Sequence, residues 1–290
     1  MPLGRKNHMA AFLFLTPSLL FFAIFFFFPL FFTIYLSFHQ WDMLGDAVFI
    51  GFANYLSLMD DERFIKTLVN TFLFVGVTIV IMPALSLGVA ILLNLVTFAA
   101  WFWRLLFFLP IVTSVVAMSL VWQYIFDPTY GPLNEILKFL GFTPRGWIMN
   151  PDESLVSVII LMLWQGVGYY AIIYLAGLQS IPEEYYEAAR IDGANGWQQF
   201  FSITLPLLQP TTIFVFVMVA INSFQVFTQV FVLTNGGPVD SSNVLGLYIY
   251  QTAFEFLNMG KASSMAVILF LLVLGVSLFQ LRMLRQQHLD

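Results

Sequence analysis

Six uncharged, apolar stretches divide this chain, and each is long enough to hold a bilayer-crossing helix of about 20 residues. They lie near residues 11–37, 69–96, 105–126, 155–178, 207–233 and 263–281. Pro17, Pro29 and Pro83 fall inside them and predict kinks, tolerable where neighbouring helices or polar side chains cover the freed carbonyls. Pro110 stands near the start of the third stretch, where a proline costs less. The pattern predicts an all-α, six-span membrane protein with a single transmembrane domain covering residues 1–290.

The segments between the spans are short. Residues 39–67 hold Trp41, Asp42 and the run Asp60-Asp61-Glu62-Arg63. Residues 133–140 are apolar at helical spacing and predict a helix lying in the membrane interface. Residues 234–262 open with the turn-forming Asn235-Gly236-Gly237-Pro238. None is large enough for a separate soluble domain, and there is no internal repeat or low-complexity linker.

The long polar interruption of the second half, residues 180–206, has its own helical grammar. Ser180 with Glu183 fits a capping box, in which each side chain satisfies a backbone N–H at a helix start. Glu183, Glu184 and Glu187 fall in the first turns and Arg190 near the far end, the arrangement a helix dipole favours. Gly193, after Asp192, can take the left-handed conformation that closes a helix. A second short helix, residues 197–204, is expected to end before Pro206. Physics alone reads this as a capped surface helix joining two spans.

Composition fixes the environment. Hydrophobic residues make up 60% of the chain and charged residues 9%, against roughly 25% charged in soluble domains. Such a chain cannot cover a water-facing surface. Its net charge of −5 is spread along loops, with no basic stripe for nucleic acid. The first apolar stretch follows Arg5 and Lys6, and it is far longer than the 7–15 residues or so of a secretory signal. It reads as a retained span.

Charge placement sets the expected orientation. With the N-terminus inside, cytoplasmic segments carry Arg5, Lys6, Arg104, Arg190, Arg282 and Arg285; outer segments carry Arg63, Lys66, Lys138, Arg145 and Lys261. That balance is nearly even. Arg5/Lys6 and Arg282/Arg285 flank the first and last spans closely, however, and six spans put both termini on one side. The expectation is N-in and C-in.

Several chemistries have no sequence support. No phosphate-binding loop of the G-x-x-x-x-G-K-[ST] type occurs, so ATP hydrolysis is not expected of this chain. There is no cysteine and no paired-histidine motif to ligate a metal; His8, His39 and His288 stand at chain ends or a span boundary. No acid or base falls in the middle of a span, which argues against a proton- or sodium-coupled carrier and against a voltage sensor.

The spans carry neutral polar groups instead. Trp164, Gln165, Gly166, Gly168, Tyr169 and Tyr170 cluster in the fourth; Asn222, Ser223, Gln225, Thr228 and Gln229 cluster in the fifth. Helical spacing puts Asn222, Gln225 and Gln229 on roughly one face. Amides exchange hydrogen bonds with hydroxyls and aromatic rings stack on sugar C–H faces, so the set suits an uncharged polyhydroxylated ligand. The same groups also serve plain interhelical hydrogen bonding, worth about 0.6 kcal/mol per contact.

Residues 180–206 also carry a resemblance. Glu187-Ala188-Ala189, Asp192-Gly193-Ala194, Ile203 and Leu205-Pro206 resemble the EAA loop of ABC-importer permeases. Gly51-Phe52-x-Asn54-Tyr55, Asn70-Thr71 and Thr234-Asn235-Gly236-Gly237-Pro238 resemble the carbohydrate-uptake branch, of maltose and glycerol-phosphate type, and the likeness covers nearly all the chain beyond residue 10. It implies that the loop is cytoplasmic and that Glu183, Glu184, Glu187, Ala188, Ala189, Asp192 and Gly193 couple to an ATPase. It implies that spans four and five line a substrate path, with Trp164, Gly166, Tyr169 and Ser223 in corresponding places. Gln165, Asn222, Gln225 and Gln229 join them as path residues on chemistry. Met162 and Val226 are apolar where the resembled subunit is polar, which bears on which sugar is carried.

The reading is therefore a multi-pass permease subunit in the cytoplasmic (inner) membrane, importing a sugar, polyol or glycoside. A glycerol-phosphate importer subunit and a stand-alone secondary carrier are the alternatives. The resemblance implies four partners: a second homologous permease, two nucleotide-binding ATPase subunits and an extracytoplasmic binding protein. No cofactor is expected on this chain; ATP and Mg²⁺ belong to the partner subunits.

Overall fold

A computed structural model describes residues 5–286. His288, and the side chains of Arg5, Lys6, His8 and Arg285, lie outside that description. The described chain forms two compact units: the residues up to Asp61 with Ile249–Phe270, and Glu62–Tyr248 with the residues from Leu271.

The first unit opens with α1, which runs from Arg5–Phe22 through a π-helical turn at Ala23–Phe27 into Phe28–Leu36. A small antiparallel hairpin follows, β1 (His39–Gln40) with β2 (Val48–Phe49), a departure from the all-α expectation. Helix α2 (Ala53–Met59) then packs under it. The side-chain amide of buried Asn54 donates to the carbonyls of Ser37 and His39, both at 2.9 Å, and the Tyr55 hydroxyl donates to Ser37 Oγ at 2.8 Å. Gly51 turns the chain into α2 at φ +59°. The Gly51-Phe52-x-Asn54-Tyr55 stretch is thus a staple that satisfies backbone groups at the end of α1, where unpaired carbonyls would be costly.

The second unit is built on α3 (Glu62–Leu95) and α7 (Ser154–Gln179). Between them run α4 (Ala100–Val112), α5 (Val115–Ile125) and the short amphipathic α6 (Pro132–Phe139). Buried Asn134 of α6 organises its loop, donating to the Pro128 and Arg145 carbonyls and accepting from the Arg145 N–H and the Trp147 indole. Then follow α8 (Glu183–Ile191), α9 (Gly196–Leu207), α10 (Gln209–Phe224), α11 (Thr228–Leu233) and α12 (Leu245–Tyr250), which runs into the first unit. The last helix, α13 (Met259–Gln286), starts in the first unit and ends in the second.

The two ends of α3 differ in their company. Near its start, Asn70 donates to the carbonyls of Asp240 and Asn243, Arg63 pairs with Asp240 at 2.8 Å, and Thr71 Oγ1 accepts from the Leu245 N–H. Near its end, Ile91, Asn94 and Leu95 lie beside residues of α8 and α9. A helix of 34 residues is about 50 Å long, so the loop at 234–245 and the loop at 180–206 occupy opposite ends of this unit.

Four of the described helices are long and apolar enough to cross a membrane, and six spans result if each of two bent pairs counts as one. The 96° bend corrects the expectation of a continuous third span, and a break between Phe224 and Thr228 corrects that of a continuous fifth. α4 and α5 meet at 96°, because Thr113 is extended and Ser114 caps α5 through the Ala117 N–H. α9 and α10 meet at 65° at Leu208, just before Pro210 in the first turn of α10. α10 then stops at Phe224, and α11 is separate. The second short helix does not end before Pro206 either: it passes through a π-helical turn at Phe200–Thr204 and includes the proline.

Candidate functional site

A cleft of about 430 Å³ opens in the second unit. One face of α7 supplies Met162, Gln165, Gly166, Tyr169 and Tyr170, at the spacing that stacks side chains along one helix side. Met82 of α3, Ile111 of α4, Val115 of α5, Met218 and Asn222 of α10 and Gln229 of α11 complete the wall. The volume suits a small-molecule ligand, for which about 300–1,000 Å³ is usual.

Two hydrogen bonds set the polar groups across helices. Asn222 Nδ2 donates to the Tyr170 hydroxyl at 2.9 Å, and Gln229 Nε2 donates to Gln165 Oε1 at 3.3 Å. Each group keeps unused capacity: the Tyr170 O–H and the Gln165 amide N–H as donors, the Asn222 and Gln229 carbonyl oxygens as acceptors. The lining has no Asp, Glu, Lys or Arg. Its three methionines are flexible and polarizable, which suits a wall that must adapt to shape. Gly166 leaves room that a side chain would take, since a Cβ there would stand 2.6 Å from Met82 Cε.

Five of the eight path residues read from sequence therefore meet in one place: Gln165, Gly166, Tyr169, Asn222 and Gln229. The other three lie elsewhere. Trp164 is 40% exposed, stands edge-on to Trp122, and lines a separate apolar groove with Leu106, Pro110 and Met118. Ser223 is buried and accepts from Thr78 Oγ1 at 2.8 Å, joining α10 to α3. Gln225 is exposed at the end of α10, so the single helical face expected for Asn222, Gln225 and Gln229 does not form. Met82, Ile111, Val115 and Met218 escaped notice, because an apolar residue in an apolar span carries no signal of its own.

The second place is the 180–206 loop. The capping box expected at Ser180 and Glu183 is absent: α7 runs to Gln179, Ser180 closes it, and its hydroxyl donates back to the Gly177 carbonyl. α8 begins after Pro182 without a side-chain cap. A capping box does form one helix later, where Asn195 and Gln198 exchange bonds of 3.0 and 2.8 Å. Gly193 ends α8 at φ +81°, with its N–H bonded to the Arg190 carbonyl and that of Ala194 to the Ala189 carbonyl. This is the paired 5→2 and 6→1 closure that a left-handed residue permits. Arg190 pairs with Glu183 along the helix.

Glu183, Glu184, Glu187, Ala188, Asp192 and Gly193 are exposed, and Ala189 is half-buried. Beside them stand two apolar side chains that sequence reasoning passed over, Ile191 at 87% and Trp197 at 75% exposure.

The family described as "Binding-protein-dependent transport system inner membrane component" matches residues 8–287. The chain is 36% identical over 283 residues to YurN of Bacillus subtilis, described as a probable ABC transporter permease, covering 96% of this chain and 97% of that one. It is 33% identical over 288 residues to AmyD of Thermoanaerobacterium thermosulfurigenes, described as a probable permease for starch degradation products, covering 98% and 97%. Its fold matches a chain of the bacterial alginate ABC transporter solved in complex with an alginate pentasaccharide-bound periplasmic protein. The TM-score is 0.85 at 24% identity, over 97% of this chain and 96% of that one.

Proposed function

The chain belongs to the family of binding-protein-dependent transport system inner membrane components, and on that premise we propose that it is the permease subunit of an ATP-driven importer for a neutral saccharide or related glycoside. It sits in the cytoplasmic membrane beside a second, homologous permease. Two ATPase subunits bind ATP and Mg²⁺ and hydrolyse the nucleotide, and an extracytoplasmic binding protein delivers the cargo. The chain itself catalyses no reaction and binds no cofactor.

The proposed topology is one permease domain of six spans, with each bent helix pair counted as one, and with both termini inside. The 180–206 loop is then cytoplasmic and the 234–245 loop external, a reading supported by their places at opposite ends of α3. Glu183, Glu184, Glu187, Ala188, Ala189, Asp192 and Gly193 meet the ATPase, with Ile191 and Trp197 supplying apolar contact. Cargo passes between Gln165, Gly166, Tyr169, Asn222 and Gln229. Alternation of access follows the ATPase cycle: closure on ATP and docking of the loaded binding protein favour the outward-open state, and hydrolysis resets it.

The carrying observation is the cleft: amide and phenol groups with spare donors and acceptors, converging without one charge. Hydroxyls can bond to every one of those groups. A phosphate ester would call for an Arg or Lys within reach, so glycerol phosphate fits this wall poorly. The test is uptake by the complete importer carrying Gln165→Met, Asn222→Leu or Gln229→Met. Each change should lower uptake about fivefold, the worth of a hydrogen bond of roughly 1 kcal/mol, while the complex still assembles. Unchanged uptake in all three would sink the cleft assignment.

A further inference from the structure

The motion of the loop must reach the cleft through some physical connection, and one short chain of contacts runs the whole way. Half-buried Tyr186 of α8 meets Thr204 of α9, with Tyr186 Oη 2.9 Å from Thr204 Oγ1. Thr204 closes the π-helical turn, where its own helical acceptor, the Gln199 carbonyl, lies at 3.5 Å. The wide turn stretches that bond, and the tyrosine hydroxyl is the threonine's nearer partner. In a tight α-helical turn a threonine hydroxyl usually bonds back to its own helix.

Four residues on, fully buried Leu208 forms the 65° bend between α9 and α10. It is seated on Gly177 of α7: a Cβ at Gly177 would stand 2.9 Å from Leu208 Cδ2 and 2.7 Å from Thr211 Oγ1. Beyond the bend, α10 carries Asn222, which bonds Tyr170 in the cleft wall. The sequence 196–224 is therefore one bent rod, gripped at one arm by α8 and ending at the other in the cleft.

We propose that this rod is a lever: the Tyr186–Thr204 bond is the hitch that ties it to the ATPase-facing helix, and Leu208 on Gly177 is its fulcrum. Tyr186 and Thr204 are positioning residues that touch neither cargo nor nucleotide. When α8 shifts with the ATPase, the hitch swings α9, and α10 turns about the bend to move Asn222 relative to Tyr170. The proposal rests on the importer reading above.

The test uses the complete importer in proteoliposomes with Tyr186→Phe, Thr204→Val, Thr204→Ser and the double variant Tyr186→Phe/Thr204→Val. The readout is sugar imported per ATP hydrolysed. Removing either hydroxyl should leave ATPase subunits bound and hydrolysis still stimulated by loaded binding protein, while the import ratio falls about fivefold, the loss of one hydrogen bond. The double variant should fall no further than the single ones, because both remove the same bond. Thr204→Ser, which keeps the hydroxyl, should import normally. Wild-type ratios in both single variants would overturn the hitch, and so would loss of the assembled complex in both, since the bond would then hold the loop's fold and not its motion. A wild-type importer with no ATP-driven uptake would instead refute the function itself.

Discussion

Gly193 offers the cleanest perturbation of the proposed coupling loop, because shape and conformation separate there. A Cβ built on Gly193 meets nothing within 4 Å, so bulk alone costs nothing. The backbone stands at φ +81°, so every larger residue pays only for the left-handed conformation. That cost is about 1–3 kcal/mol, low for alanine and highest for a β-branched residue. At 1.4 kcal/mol per factor of ten, the correctly closed turn becomes roughly fivefold rarer with alanine and roughly a hundredfold rarer with valine. Asparagine tolerates this conformation and should stay near wild type. The assay is ATP-driven uptake by the complete importer across Gly193→Asn, Gly193→Ala and Gly193→Val, with ATPase co-purification measured on the same samples. The expected order of loss is Asn, Ala, Val, with the chain still inserted in the membrane in every case. Full transport and normally stimulated hydrolysis in Gly193→Val would show that this turn is a passive connector.

Two further outcomes test other parts of the structure. A Cβ at Gly168 would lie 1.7 Å from the Phe107 carbonyl oxygen, so Gly168→Ala must push α4 off α7. Overpacking of about 1–3 kcal/mol should lower the melting midpoint in detergent by roughly 2–5 °C, whereas Gly88→Ala, in open space on α3, should leave it unchanged; equal midpoints for the two would refute that packing. For topology, single cysteines at exposed Asp60 and exposed Gln198 should differ on intact cells, with Asp60→Cys labelled by a membrane-impermeant maleimide and Gln198→Cys protected. The reverse pattern would put the 180–206 loop outside.

The membrane class was legible in residue statistics alone, since a chain with 9% charged residues has no way to cover a water-facing surface. Gly193 was equally legible: closing a helix in the left-handed region is a local demand, and glycine answers it locally. The cap at Ser180 failed because two local preferences competed, and α8 starts only after Pro182. Ser180 closed α7, and its hydroxyl turned back to Gly177 while Asn195 and Gln198 formed the box instead. The grouping of polar side chains in spans four and five was visible, yet periodicity assumed one straight helix where the chain has α10, a break and α11. That break has no obvious breaker in its sequence. It is held by packing, with the Val226 carbonyl so close to Gly246 that a Cβ there would stand at 2.9 Å. The break sends Gln225 out to the surface and brings Gln229 onto Gln165. Composition and local backbone preference are properties of residues and their near neighbours, so the sequence by itself determined the membrane setting and the loop's turn. Which of the eight expected path residues share a cleft depends on where helices bend and cross, and only the tertiary structure, through contacts between residues far apart in the chain, decided that.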